Sequence, residues 1–424
     1  MKSIPLLAAL AVMLPHSLSA VDFDAASATN HVGLELFRRL AADKPGTNLI
    51  LSPYSIESAL ALAYAGADGE TRTEMARVLR FPSDTAPLQT AFAAMRAQLD
   101  ALATDSVTAA ENTRRNGGRV DILEWHAANR LFGQRSYAFR DAFLTLMRNG
   151  FAAPFDTLDF RADPDRARGV INGWVEEQTR KKIRDLIPRG ALGDDTRLVL
   201  VNALYLKAPW QKPFEKSATQ PASFHNTRTE AHAVPTMQRT GPLGYASEPG
   251  VTIVSLDYIG RGLRFLVLLP DRNQTVDELA ARLTPADFTR WAGLGEKTPP
   301  TSVRLFLPKF RVEGTTLPLG KTLRTLGMKS AFDEPRGSAN FDRIAPRKPN
   351  DYLAISDVFH QTFIALDEEG TEAAAATAVA MMALTSIVEP AQPIEVRVDR
   401  PFLFAIQHRA SGACLFLGRI ASPR

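Results

Sequence analysis

Apolar residues dominate positions 55–65, which read as a capped helix closed by the turn Gly66-Ala67-Asp68-Gly69. Further along, Ile171, Trp174, Val175, Thr179, Lys182, Ile183 and Leu186 fall at helical spacing. That pattern predicts a helix running up to the stop at Pro188-Arg189-Gly190. Between the two, residues 104–119 are polar and contain Gly117-Gly118, which predicts an exposed loop. The second half changes character. Runs at 198–206, 251–256, 263–269, 303–312, 394–398, 402–406 and 414–420 are β-branched or aromatic, with turn residues between them. Several are almost continuously apolar, so the sheets they form must be covered on both faces. Helices first and strands later, without a linker, predict one α+β domain built around large antiparallel or mixed sheets.

Length agrees with one large sheet-based domain. A chain of 424 residues exceeds the roughly 250–300 residues at which a single core usually stops growing. No internal repeat relieves this, which argues against a solenoid or propeller. Net charge is only +4, and the basic residues mostly alternate with acids. A solvated surface, not a nucleic-acid groove, follows from that pattern. Arg114, Arg115 and Arg119 form a small basic cluster in the predicted loop and read the same way.

The N-terminus has the make-up of an export signal. Lys2 supplies the positive start, residues 4–14 are wholly apolar, and Ser17-Leu18-Ser19-Ala20 offers small residues for cleavage. Residues 1–20 are therefore expected to be a signal peptide and 21–424 the folded domain, in a secreted protein, extracellular or periplasmic. The apolar run is too short to span a bilayer, and no later segment reaches spanning length, so no membrane partner is expected. Cys414 is the only cysteine, so no intramolecular disulfide can form and stability must come from the core.

Catalytic signatures are missing. There is no Gly-x-Ser-x-Gly elbow and no His-Glu-x-x-His helix, and the seven histidines lack ligand spacing. Gly293-Leu294-Gly295-Glu296-Lys297-Thr298 faintly suggests a phosphate loop, but it follows a predicted helix at 285–291, and a surface turn is the better reading. No enzyme, metal site or cofactor is expected.

A series of motifs carries more. Asn48-Leu49-Ile50-Leu51-Ser52-Pro53-Tyr54-Ser55-Ile56 is followed by Ala59-Leu60 and Gly66-Ala67-Asp68-Gly69-Glu70-Thr71. Then come Asn172-Gly173-Trp174-Val175 with Thr179 and Lys182-Ile183, and Val201-Asn202-Ala203-Leu204-Tyr205-Leu206-Lys207 with Trp210 and Phe214. Pro308-Lys309-Phe310, Leu326-Gly327-Met328 and Ala331-Phe332 continue the series. It closes with Glu368-Glu369-Gly370-Thr371-Glu372-Ala373-Ala374-Ala375-Ala376-Thr377-Ala378, Arg400-Pro401-Phe402-Leu403-Phe404 and Phe416-Leu417-Gly418-Arg419. In this order the motifs resemble the serpin family over nearly the whole chain after residue 20.

The resemblance implies a single serpin-like domain with a large central mixed or antiparallel sheet, further sheets, about eight to nine helices and an exposed reactive-centre loop at about 368–392. It also implies that Ser52, Ser55, Asn202 and His360 form a polar cluster beneath the main sheet where its middle strands part. A Ser, an amide and a His could be mistaken for a hydrolytic triad. A satisfied buried network at a separating seam is the better physical reading. One departure is Gln361, where the family often has a basic residue.

The implied function is inhibition of serine-type endopeptidases as a suicide substrate. The protease forms an acyl-enzyme with the loop, which then inserts into the main sheet and traps the covalent complex. The inhibitor is expected to act as a monomer and to contribute no catalytic residue. A non-inhibitory serpin, acting as a binding or carrier protein, is the alternative. The loop's own residues favour insertion. Thr371, Ala373, Ala375, Thr377, Val379 and Met381 would share one face, small and uncharged as far as Val379, while Glu372, Ala374 and Ala376 would point to the solvated one. The hinge comprises Glu368, Gly370, Thr371, Glu372, Ala373, Ala374, Ala375 and Ala376. The residue before the scissile bond lies about sixteen positions after the matching Glu368 in this family, which gives Leu384-Thr385. Residues 379–387 carry no charge, so the expected targets are chymotrypsin-like, elastase-like or subtilisin-like.

Overall fold

The computed structural model describes residues 23–115, 122–227, 229–294, 300–372 and 392–423. The expected signal peptide at 1–20, Ala373 to Ala376 of the hinge, and the Leu384-Thr385 bond lie outside them. Nine α-helices are present among the described residues, and six of these precede residue 179.

Two large sheets form the body. In the main sheet the strand order is Phe310–Glu313, Phe363–Leu366, Gly370–Thr371, Leu198–Pro209, Glu124–Gln134 and Phe155–Leu158. Its central pairs are antiparallel, and Glu124–Gln134 runs parallel to Phe155–Leu158. A nine-stranded sheet carries the apolar runs Val251–Asp257, Leu263–Pro270, Phe402–His408 and Cys414–Ile420 as neighbours. Every residue of Leu263–Pro270, Phe402–His408 and Cys414–Ile420 is buried, as their long apolar runs require, and Arg264, Gln407, His408 and Arg419 are buried with them.

The two faces of the main sheet pack against different partners. On the strand Leu198–Pro209, Val201 and Ala203 join Phe132, Ile171, Val175, Ile183, Leu186 and Ile187 in a small cluster. This cluster sits under the helix Pro164–Gln178, which lies across the sheet. Leu204, Leu206 and Ala208 point the other way, into the main core shared with the helix Pro53–Gly66.

Two local expectations are corrected. Residues 104–115 are the last turns of one long helix, Thr85–Arg115, not an exposed loop. Leu99, Ala103, Ser106 and Ala110 make a helical stripe there, with Ser106 and Ala110 buried. The Ser106 hydroxyl also accepts a 2.6 Å hydrogen bond from the Leu123 amide. The polar composition belongs to the opposite, solvated face. The second correction is that the covering helix ends at Gln178, although apolar residues continue at helical spacing to Leu186. The Thr179 hydroxyl bonds back to the Val175 carbonyl (2.8 Å) and accepts from the Ile183 amide (3.2 Å), closing the helix. Arg180 and Lys181 then take left-handed conformations, at φ 51° and 61°.

Candidate functional site

The run Val201-Asn202-Ala203-Leu204 places one amide in a row of leucines facing the core. Its neighbour across the strand pair is Asn129 of Glu124–Gln134, whose side-chain carbonyl accepts a 2.7 Å bond from the Asn202 amide nitrogen. The Asn202 carbonyl in turn accepts from the Ser55 hydroxyl. Ser55 sits in the first turn of the helix Pro53–Gly66, where its amide donates to the Ser52 hydroxyl (3.2 Å), the N-cap of that helix. The Ser52 amide donates to His360 Nε2 at 2.9 Å. Ser52, Ser55, Asn202 and His360 thus form one hydrogen-bonded chain, which Asn129 extends. Nothing in the sequence points to Asn129, because the segment EWHAANRLFGQ is too polar to read as a strand.

His360 is the electrostatically decisive member. Burial pushes its pKa down from 6.5 to about 3. A ring that accepts a backbone N–H at Nε2 must be neutral, so geometry and desolvation agree. Neither Ser52 nor Ser55 is hydrogen-bonded to this imidazole through its hydroxyl, so this cluster lacks the nucleophile–base contact of a hydrolase. Gln361, beside His360, accepts from Thr316 at 3.3 Å.

The second part of the site lies where the strand Phe363–Leu366 turns into Gly370–Thr371. Asp367 closes this turn, its carboxylate accepting from the Glu369 and Gly370 amides at 2.9 and 3.3 Å. Glu368 is buried, yet bonds from Lys309 and Thr219, both 2.7 Å, hold its carboxyl below the usual range. The Glu368 and Glu369 carbonyls accept from the amides of Phe214 and Trp210. Gly370 then pairs with Pro209, and Thr371 pairs with both Leu366 and Ala208. Gly370 has φ 150°, and a Cβ there would lie 2.2 Å from the Ala208 carbonyl oxygen. Close approach to the neighbouring strand, more than freedom to bend, is what requires glycine here.

Thr371 is 3% exposed and already inside the sheet. Its hydroxyl lies 2.6 Å from the Tyr258 hydroxyl, and Tyr258 stacks on Trp210 with ring centroids 4.6 Å apart. Nothing local in the sequence links Tyr258 to this site. Glu372 faces the opposite side of the sheet, as alternation predicts, but that face is not solvated there. Lys182 covers it and is ion-paired with the Glu372 carboxylate.

A family model described as Serpin (serine protease inhibitor) matches residues 27–423. The chain belongs to the serpin family. It is 33% identical over 414 residues to human plasminogen activator inhibitor 2, covering 92% of this chain and 97% of the relative. Leukocyte elastase inhibitor of Xenopus tropicalis is 33% identical over 404 residues, covering 94% and 99%. A serpin-like protein of Methanosarcina mazei is 32% identical over 407 residues, covering 96% and 89%. Among solved structures, uncleaved ovalbumin superposes with a TM-score of 0.78 at 25% identity, covering 95% of this serpin and 100% of ovalbumin. Human thyroxine-binding globulin, complexed with thyroxine, superposes with a TM-score of 0.77 at 26% identity, covering 95% and 100%.

No group of His, Cys, Asp or Glu that could hold a metal occurs among the described residues of this serpin. No helix among them is long and apolar enough to cross a membrane. Cys414 is buried, which pushes its thiol well above the usual range.

Proposed function

We propose that this serpin is a secreted, monomeric inhibitor of serine-type endopeptidases that works as a suicide substrate, with residues 1–20 as its signal peptide. The observation that carries the reading is the pairing of Thr371 with Leu366 on one side and Ala208 on the other, with Gly370 paired to Pro209, within the main sheet. The bait loop at 368–392 therefore begins as a strand of that sheet, and the residues that follow are small enough to continue it. About a dozen further ladder hydrogen bonds, at a net ~0.5–1.5 kcal/mol each, would release on the order of 10 kcal/mol. That is comparable with the whole stability of a typical domain, ~5–15 kcal/mol, and is enough to distort a tethered protease. The native state would then be held by kinetics. Ser52, Ser55, Asn202 and His360, at the seam that has to widen, would exchange partners as it opens. Leu384-Thr385 is the proposed scissile bond, and a hydrophobic pocket in a chymotrypsin-like, elastase-like or subtilisin-like protease would accept Leu384.

The alternative, a non-inhibitory binding or carrier serpin, draws on the fold likeness to thyroxine-binding globulin. Incubation of the full chain with these proteases, followed by mass spectrometry under denaturing conditions, separates the two. An inhibitor gives a covalent complex, and loop cleavage raises its melting temperature sharply. Cleavage with neither complex nor thermal shift would favour the carrier.

A further inference from the structure

We propose that Lys182 is a positioning residue for the hinge, holding the Glu372 carboxylate directly after the strand Gly370–Thr371. It thereby sets how far the loop is inserted before any protease arrives. The inference rests on reading 368–392 as the bait loop and takes that reading further. Thr371 is the last described residue assigned to the strand, and Glu372, which follows it, has φ 52°. Its amide still donates to the Ala365 carbonyl at 2.8 Å, so its N–H stays in the ladder while its own conformation is no longer extended. A left-handed conformation is unfavourable for a residue with a Cβ and persists where its surroundings hold it.

Lys182 supplies that hold from the covering segment. Its own position is fixed by the Thr179 closure, and its ammonium lies 5.0 Å from the Phe363 ring centroid, against the strand that borders the seam. Three charged groups bear on Glu372, namely Lys182, Arg311 and Glu124. Among the described residues only Lys182 is ion-paired with it, and the Glu372 side chain is 13% exposed, so water cannot replace the partner cheaply. Glu124 is bound by Lys207 at 2.9 Å and by Arg180 at 3.4 Å. Residues 180–182 therefore tie the covering segment to the Glu124–Gln134 strand through Arg180 and to the hinge through Lys182. Withdrawal of the hinge would break the Lys182–Glu372 pair. Further insertion requires Glu372 to become extended, which moves its carboxylate from the place where Lys182 meets it.

Amide hydrogen exchange on the uncleaved full chain tests this without a protease. Lys182→Met and Glu372→Gln should each speed exchange of the Glu372 amide about five- to tenfold, and the double variant no further. Lys182→Arg should keep the parental rate. Raising salt from about 0.05 to about 0.5 M should speed exchange in the parent but not in Lys182→Met. Exchange in the strand Leu263–Pro270 should stay parental throughout. Parental exchange in Lys182→Met, additive single effects, or a rise in Leu263–Pro270 as well would overturn the proposal. A protein that passes but never forms a covalent complex would sink the inhibitor reading while leaving this positioning role intact.

Discussion

Acidification should loosen the seam through His360, and the size of the effect follows from its environment. Its pKa is about 3 in the folded protein, against 6.5 for an ordinary histidine. The folded state therefore binds fewer protons than the unfolded chain between those values, and stability falls as pH falls through that window. At pH 7 almost the full contribution is present, and by pH 5 about 2 kcal/mol of it is lost. Protonation would also turn Nε2 from an acceptor into a donor facing the Ser52 amide, so the loss is specific to this contact. Glu57, Asp367 and Glu372, whose carboxyls burial pushes up, act in the opposite direction. The difference between two proteins removes their effect. His360→Gln keeps an acceptor and cannot titrate. Urea denaturation of the uncleaved parent and of this variant at pH 7 and pH 5 should show the variant losing about 2 kcal/mol less. Parallel losses, within about 0.5 kcal/mol, would refute the assignment of a buried neutral imidazole.

Thr371→Arg should convert the inhibitor into a substrate, because a guanidinium cannot take the place of a hydroxyl that is 3% exposed and held by Tyr258. The stoichiometry of inhibition should rise severalfold; an unchanged value would mean the hinge is misassigned. His360→Ala leaves the Ser52 amide without its acceptor, a cost of ~1–3 kcal/mol, and should speed conversion to polymer or a latent form on warming. Size-exclusion chromatography that shows parental persistence of active monomer would count against a role at the seam. Leu384→Arg should shift inhibition toward trypsin-like proteases, and the C-terminal fragment released from the parent complex should begin at Thr385. A start more than two residues away would displace the assigned bond.

Much of the fold was legible because its strands are extreme. Leu263–Pro270 and Cys414–Ile420 are so apolar that only burial on both faces can accommodate them, and each lies where the pattern put it. The strand Glu124–Gln134 escaped notice because it carries His126, Asn129 and Arg130 toward partners that only the tertiary structure supplies. The Thr85–Arg115 helix was cut short for the converse reason. Among the described side chains its last turns bury only Ser106 and Ala110, a signal too thin to outweigh the threonines and charges around them.

The site shows where pattern reading stops. Ser52, Ser55, Asn202 and His360 stand in motifs, yet His360 is separated from Ser52 by 308 positions and Asn202 from Ser55 by 147. Local periodicity reaches a turn or a strand neighbour, so it could name these residues but not the order in which they bond. Thr371 and Tyr258, 113 positions apart, meet only because the hinge enters the sheet above the nine-stranded layer. Glu372 is the sharpest case. Alternation gave its side correctly, but the solvation of that side depends on where Lys182 comes to rest. That in turn depends on a helix ending at Gln178 through one threonine hydroxyl. A charge expected in water is therefore paired beside the seam, and any mechanism that moves the loop must first account for separating it.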